Sequence, residues 1–282
     1  MIGIITDSTC DIPENLLEQY GIIVVPQVVI WGDEQFRDRI DLQPSEFYTR
    51  LAVDPLRPHS SLPSLRDFQE AYEKAARRGA NELIVLTVSR AMSGTYEMAQ
   101  NAAKLVNTPV TVVDSKGPTM SLGWQVLAAA RARDSGADLK SILNRVEQVR
   151  KKLILFVSMD TLEYLQRGGR IGGAAKWAGA LLKVKPLVSI NHQSGLVEPV
   201  SLSRTQKTLV EMMYKKFFEQ LDGRKNLRVA VLHGNVSEKA EALAERIRAE
   251  FDPLELLVNI TGPVLGINTG PGALALCGYV ED

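Results

Sequence analysis

Over the first half of the chain, short apolar runs alternate with stretches of helical spacing. Ile2–Thr6 reads as a buried strand. Asp11, with Glu14 three positions on, predicts a helix that runs to Tyr20 and stops at Gly21. Ile22–Trp31 is rich in β-branched residues and predicts an extended segment ending in a Gly32-Asp33 turn. Ser64, with Asp67 as capping-box partner, starts a helix over Leu65–Arg78 that Gly79 ends. Leu83–Val88 and Val110–Val113 read as strands, with a helix between them that begins near Thr95, read as its cap. Helices follow at Ser121–Asp134 and Leu139–Lys151. This alternation predicts a mostly parallel sheet flanked by helices.

The second half changes pattern. Ile154–Ser158 is a strand, Thr161–Gln166 a short helix, and Arg167-Gly168-Gly169-Arg170 a turn. A small helix is expected over Ala174–Leu182. Leu187–Ile190 and Val197–Ser201 flank His192-Gln193-Ser194-Gly195 as an antiparallel hairpin. Arg204–Leu221 carries Leu209, Met212, Met213, Phe217 and Leu221 on one stripe and predicts a long amphipathic helix. Strand Arg228–Leu232, helix Glu238–Glu250, strand Leu254–Ile260 and a Gly/Pro-rich end complete the chain. The expected fold is α/β with two α/β domains, 1–155 and 156–282, the second with a mixed sheet.

Composition changes this picture little, but it removes several classes of function. The chain has 282 residues, enough for two cores, and is 45% hydrophobic and 23% charged. Lys+Arg and Asp+Glu stand at 33 each, so no basic excess points to nucleic acid. Cys10 and Cys277 lie at opposite ends without metal-ligand spacing and read as buried thiols. No apolar run is long enough to span a membrane, and the short run Met1–Ile5 reads as a strand rather than a signal peptide. A cytoplasmic location is the expectation.

Chemistry is expected where strand ends meet hydroxyl-bearing residues: Thr6-Asp7-Ser8-Thr9, Ser89 through Ser93-Gly94-Thr95, and Asp114-Ser115. In open α/β sheets ligands collect beyond the carboxyl ends of the strands, where helix N-termini favour an anion. A further cluster, Ser60-Ser61-Leu62-Pro63-Ser64, precedes the helix at Leu65. No phosphate loop, no dinucleotide fingerprint and no Gly-x-Ser-x-Gly elbow is present. His59, His192 and His233 show no metal-ligand spacing. Asp7 is expected to order its loop by hydrogen bonds. Two other readings of the hydroxyls stay open. One is a serine-dependent hydrolase or acyltransferase with Ser93 as nucleophile and His59 or His233 as base. The other is a sugar- or nucleotide-phosphate binder using the helix N-termini.

Taken in order, these motifs resemble the DegV family of fatty-acid-binding proteins. Thr6-Asp7-Ser8-Thr9-Cys10-Asp11-Ile12-Pro13 is similar to its opening signature, and Ser60-Ser61-Leu62-Pro63-Ser64 to its Thr-Ser-Gln-Pro-Ser loop. Met92-Ser93-Gly94-Thr95-Tyr96, Val113-Asp114-Ser115-Lys116 and Leu165-Gln166-Arg167-Gly168-Gly169-Arg170-Ile171 match later stretches. Gly262-Pro263-Val264 and Asn268-Thr269-Gly270-Pro271-Gly272 resemble the C-terminal loop. The resemblance implies a long-chain fatty acid such as palmitate buried between two α/β domains, with no other cofactor, no metal and no catalysis by the binding protein itself. It implies a carboxylate held by Ser60 and Ser93, with Ser61, Arg204, Asn268 and Thr269 as head-group neighbours. It also implies a fatty acid kinase as partner, which phosphorylates the presented acid. Three departures stand out. Ser60 replaces Thr and keeps the hydroxyl, Leu62 replaces Gln and loses a donor, and Asn268 replaces a frequent His.

About fifteen methylenes buried at ~0.8 kcal/mol each give roughly 12 kcal/mol before ordering costs, so the tail supplies most of the affinity. Met92, Met120, Leu122, Phe156, Ile171, Trp177 and Leu181 are candidates either for the tunnel wall or for ordinary core. Arg167, Arg170, Lys176, Lys183 and Lys185 make one stretch locally basic, read as a solvated face or as a transient contact with an anionic membrane.

Overall fold

The computed structural model describes residues 1–177, 184–221 and 225–282. In chain order its elements begin with β1 (Ile2–Asp7), α1 (Glu14–Gln19), β2 (Ile23–Val25), β3 (Val28–Trp31), β4 (Glu34–Arg37), α2 (Pro44–Val53) and β5 (His59–Ser61). They continue with α3 (Leu65–Arg77), β6 (Glu82–Thr87), α4 (Thr95–Ala103), β7 (Val110–Asp114), α5 (Met120–Asp134), α6 (Leu139–Lys152), β8 (Ile154–Ser158) and α7 (Glu163–Arg167). The rest are β9 (Lys185–Asn191), β10 (Leu196–Ser203), α8 (Gln206–Gln220), β11 (Leu227–His233), α9 (Ser237–Phe251), β12 (Glu255–Ile260), α10 (Pro263–Thr269) and β13 (Leu274–Val280).

Strands β2-β1-β6-β7 form an all-parallel sheet, as the alternation predicts. Strands β10-β9-β8-β13-β11-β12 form a mixed sheet in which only β11 and β12 run parallel. The hairpin expected around Gly195 is β9–β10. A small antiparallel sheet, β4-β3-β5, was not anticipated.

Local departures from the sequence reading have local causes. The extended segment Ile22–Trp31 splits at Pro26-Gln27 into β2 and β3, which join different sheets. Proline has no N–H to give a ladder, so the chain changes sheet there. Asp11 does not cap a helix. It lies in the left-handed region (φ 49°) after a 3₁₀ turn at Ser8–Cys10, and α1 starts only after Pro13. Ser64 does cap α3, accepting from the Asp67 N–H at 3.2 Å while Asp67 accepts from the Ser64 N–H at 2.7 Å. Thr95 is the first residue of α4 rather than its cap, and its hydroxyl is buried. The small helix expected over 174–182 lies partly outside the described residues; Gly172–Trp177 is a 3₁₀ turn.

The layer between the two large sheets is α5. It is buried from Met120 to Ala130 and packs on β1, β6 and β13. Trp124 Nε1–H donates to the Cys277 carbonyl (3.2 Å), and Gly123 lies so close that an added Cβ would stand 2.6 Å from the Cys10 carbonyl oxygen. The two halves therefore share one continuous hydrophobic cluster, which runs from Ile4 to Tyr279.

A buried polar clamp closes the same seam. Arg39 donates to Asp11 Oδ1 (2.5 Å) and to the Ile260 carbonyl (2.8 Å). Asp11 also accepts from Thr119 Oγ1–H (2.7 Å) and the Gly262 N–H (3.0 Å). Asp38 accepts from Ser8 Oγ–H (2.6 Å) and the Val264 N–H (3.3 Å). Burial pushes the Asp38 carboxyl up to about 6, against the pull of the neighbouring Arg39 charge.

Candidate functional site

Strand β8 sorts its side chains by period two. Phe156 and Ser158 face α8, whereas Leu155 and Val157, with Met159 just past the strand's end, face the other half of the protein. Val188 and Ile190 of β9 and Val197 of β10 share that second face. Against it lies a cavity of about 240 Å³. A single water-sized sphere needs only about 10–15 Å³, so the cavity is far larger than a packing defect. Its apolar wall is formed by Met92, Val157, Met159, Val188, Ile190 and Val197. Its polar end gathers Thr9, Gln27, Ser60, Ser61, Ser93, Arg170, Asn268 and Thr269.

Three elements bring the hydroxyls and the Asn268 amide together. Ser60 and Ser61 stand on β5, where Ser60 pairs with Val29. Ser93 precedes α4, whose free N–H groups and positive dipole end favour an anion. Asn268 and Thr269 end α10. Among the described residues neither the Ser60 nor the Ser61 hydroxyl has a partner within the protein. Ser93 Oγ lies 2.8 Å from Thr95 Oγ1 and 3.4 Å from the Thr95 N–H. Thr269 Oγ1–H donates to the Leu265 carbonyl (3.1 Å) and Asn268 Nδ2–H to the Val264 carbonyl (2.9 Å). Both line the cavity while holding the end of their own helix, so Thr269 presents only lone pairs to it. Thr9 likewise gives its proton to Asp7 (2.6 Å).

The wall differs from the sequence reading in several places. Of the candidate tunnel residues, Met92 lines the cavity. Phe156 points to the opposite face of its sheet, into the cluster under α8. Met120 and Leu122 are fully buried core of α5, and Ile171 and Trp177 pack on that same core. Leu181 lies outside the described residues. Arg204 is exposed between β10 and α8 and does not line the cavity. The cation that does is Arg170, which donates from Nε to the Met92 carbonyl (3.1 Å) and from Nη1 to the Gly168 carbonyl. Gln27 was also missed, because a lone Gln after a Pro carries no spacing signal.

The locally basic stretch is largely spoken for. Arg167 pairs with Glu163, Lys185 with Asp160, and Arg170 turns to the cavity. Lys176 is exposed without an acidic partner among the described residues, and Lys183 lies outside them. The histidines are engaged elsewhere. His233 accepts from the Val236 N–H at Nδ1 (3.2 Å), and His192 Nε2 lies 2.8 Å from Ser121 Oγ, with burial pushing its pKa down to about 4. His59 sits exposed on β5, pairing with Ile30. No histidine nitrogen lies within hydrogen-bond distance of Ser93 Oγ among the described residues. Nor do the described residues contain a cluster of His, Cys, Asp and Glu able to hold a metal, or a helix long and apolar enough to cross a membrane.

Comparison with known proteins agrees along the whole chain. Residues 1–281 match the family described as "Uncharacterised protein, DegV family". A DegV domain-containing protein of Clostridium acetobutylicum is 34% identical, covering 99% of this chain and 98% of its own. The solved structure of a DegV family protein from Thermus thermophilus, described by its fatty acid binding, is 32% identical with a TM-score of 0.89. That of a fatty acid binding protein from Bacillus subtilis is 29% identical with a TM-score of 0.91. Each covers 99% of this chain and 99% of its own.

Proposed function

The chain belongs to the DegV family, and from that premise we propose that it binds one long-chain fatty acid in the cavity between its two large sheets. The observation that carries this reading is the shape of the cavity's chemistry. Hydroxyls converge at one end, and the wall beyond them is apolar across β8, β9 and β10. A carboxylate only accepts hydrogen bonds, and burying it without donors is costly. Ser93 and Ser60 supply those donors, Ser61 stands beside them, and Arg170 rather than Arg204 brings the positive charge. Asn268 has a second amide hydrogen to offer, and Thr269 shapes the wall. We take 1–155 and 156–282 as the domains that enclose the acid; the six-stranded sheet opens at that boundary with β8, which starts at Ile154.

Binding fits the site better than catalysis. Ser93 has Thr95 as its side-chain partner, not a base, so its oxygen is not set up for attack. Chemistry at the carboxylate would then belong to a partner such as a fatty acid kinase, reaching the oxygen that the hydroxyls leave free. Loading from an anionic membrane would draw on Lys176.

Ser93→Ala is expected to weaken palmitate binding by about 1–3 kcal/mol, roughly fivefold to 150-fold, because one donor to a buried charge is lost. Titration of the lipid-free protein with palmitate reads this directly. Wild-type affinity in the variant would remove Ser93 from the head-group site.

A further inference from the structure

The side chains behind Ser93 form a directed chain of hydrogen bonds. Asp7 is buried and receives the Thr9 N–H (3.0 Å), the Thr9 O–H (2.6 Å) and the Val88 N–H (2.7 Å). Each of these neighbours donates, so Asp7 acts as an acceptor. Gln27, also buried, donates an Nε2 hydrogen to Thr95 Oγ1 (2.9 Å). Thr95 Oγ1 lies 2.8 Å from Ser93 Oγ, and the Thr95 N–H approaches the same oxygen at 3.4 Å. Among the described residues Ser93 Oγ is the one acceptor within reach of the Thr95 proton, so with Gln27 donating to Thr95 the arrangement that satisfies every group has Thr95 donating to Ser93. The Ser93 proton then points to the cavity wall.

We propose that Gln27 acts through Thr95 to fix the direction of the Ser93 proton, and that this makes the cavity select an ionised carboxylate over a long-chain alcohol. The inference rests on the fatty acid reading above. A carboxylate needs only donors. An alcohol brings a proton of its own, which Ser93 cannot accept while Thr95 and the α4 backbone occupy its oxygen. Gln27 and Thr95 are positioning residues in this scheme. Gln27 lines the cavity, but its Nε2 donates to Thr95. With Gln27 on one lone pair of Thr95, the Thr95 proton is biased toward Ser93; without Gln27 the Thr95–Ser93 bond runs in either direction, and the serine is free to turn its lone pairs to the ligand.

The test titrates palmitate and hexadecanol, delivered from cyclodextrin, into wild type, Gln27→Leu, Thr95→Val and Thr95→Ser. Wild type should favour palmitate. Gln27→Leu and Thr95→Val should each lose about tenfold or more in palmitate affinity, the low end of a hydrogen bond to a charged group. Both should hold hexadecanol within about threefold, since the tail contributes most of that binding. Thr95→Ser, which keeps the hydroxyl, should restore the wild-type preference. Equal loss of both ligands in Gln27→Leu and Thr95→Val would mean a merely structural role and overturn the relay. An unchanged acid-to-alcohol ratio would overturn it as well. A wild type that binds neither ligand would defeat the fatty acid reading itself, and the relay with it.

Discussion

Val157→Phe should cut palmitate affinity by about a hundredfold to a thousandfold, whereas Phe156→Ala next to it should leave affinity near wild type. Val157 faces the cavity from β8, and Phe156 faces α8 from the same strand. A phenyl ring at 157 takes the room of about four or five methylenes. At ~0.8 kcal/mol each that is about 3–4 kcal/mol of lost tail burial. The cost to folding should be small, because the ring grows into empty space rather than packed core. Phe156 is 3% exposed and packs in the cluster with Leu209, Met213 and Phe217. Its truncation should cost about 3–5 kcal/mol of stability. The two variants together separate ligand wall from core in adjacent residues. Palmitate titration and urea unfolding of both provide the check. Comparable affinity losses in the pair would mean that the tail does not run along this face.

Arg39→Met is expected to destabilise the protein by about 3–5 kcal/mol at neutral pH, since it strands two buried carboxylates while keeping the apolar stem. Asp11 has no exposed side-chain surface, and Asp38 is 1% exposed. The pH dependence has a definite sign. Asp38 titrates at about 6 in the folded chain, above the usual carboxyl value of 3.8. The native state therefore holds the proton more tightly than the unfolded one, and this group makes stability fall as pH rises from about 4 to about 6. Removing Arg39, whose charge holds the Asp38 pKa down, raises it further. The penalty of the variant should accordingly be largest above pH 7 and shrink as the pH drops to 5. Urea unfolding at pH 5, 6, 7 and 8 measures it. A loss under about 1 kcal/mol at pH 8, or one that grows on acidification, would contradict the clamp.

Legibility followed the range of the interactions. The parallel sheet and the β9–β10 hairpin were readable because apolar period and turn residues are local signals. That Ser60, Ser93 and Thr269 stand on one cavity was readable because their motifs resemble family stretches. The cavity wall, apart from Met92, was not. Strand β8 is buried on both faces, so Leu155, Phe156, Val157 and Met159 look alike in sequence and nothing local marks the face that meets the cavity. Size favoured Phe156, and the pleat placed it on the wrong side. Gln27 and Arg39 were invisible for a different reason. Gln27 finds Thr95 across 68 positions and Arg39 finds Ile260 across 221, and no spacing rule reaches that far. Arg204 was expected at the head group, but the exposed start of α8 leaves it outside, and Arg170 from the Gly168-Gly169 turn takes the place at the wall.

The most direct test of a fatty acid held in this cavity is native mass spectrometry of the purified protein followed by lipid extraction. The expected result is one C14–C18 fatty acid per chain, displaced by added palmitate. A chain that is isolated lipid-free and then fails to take up palmitate would contradict the account.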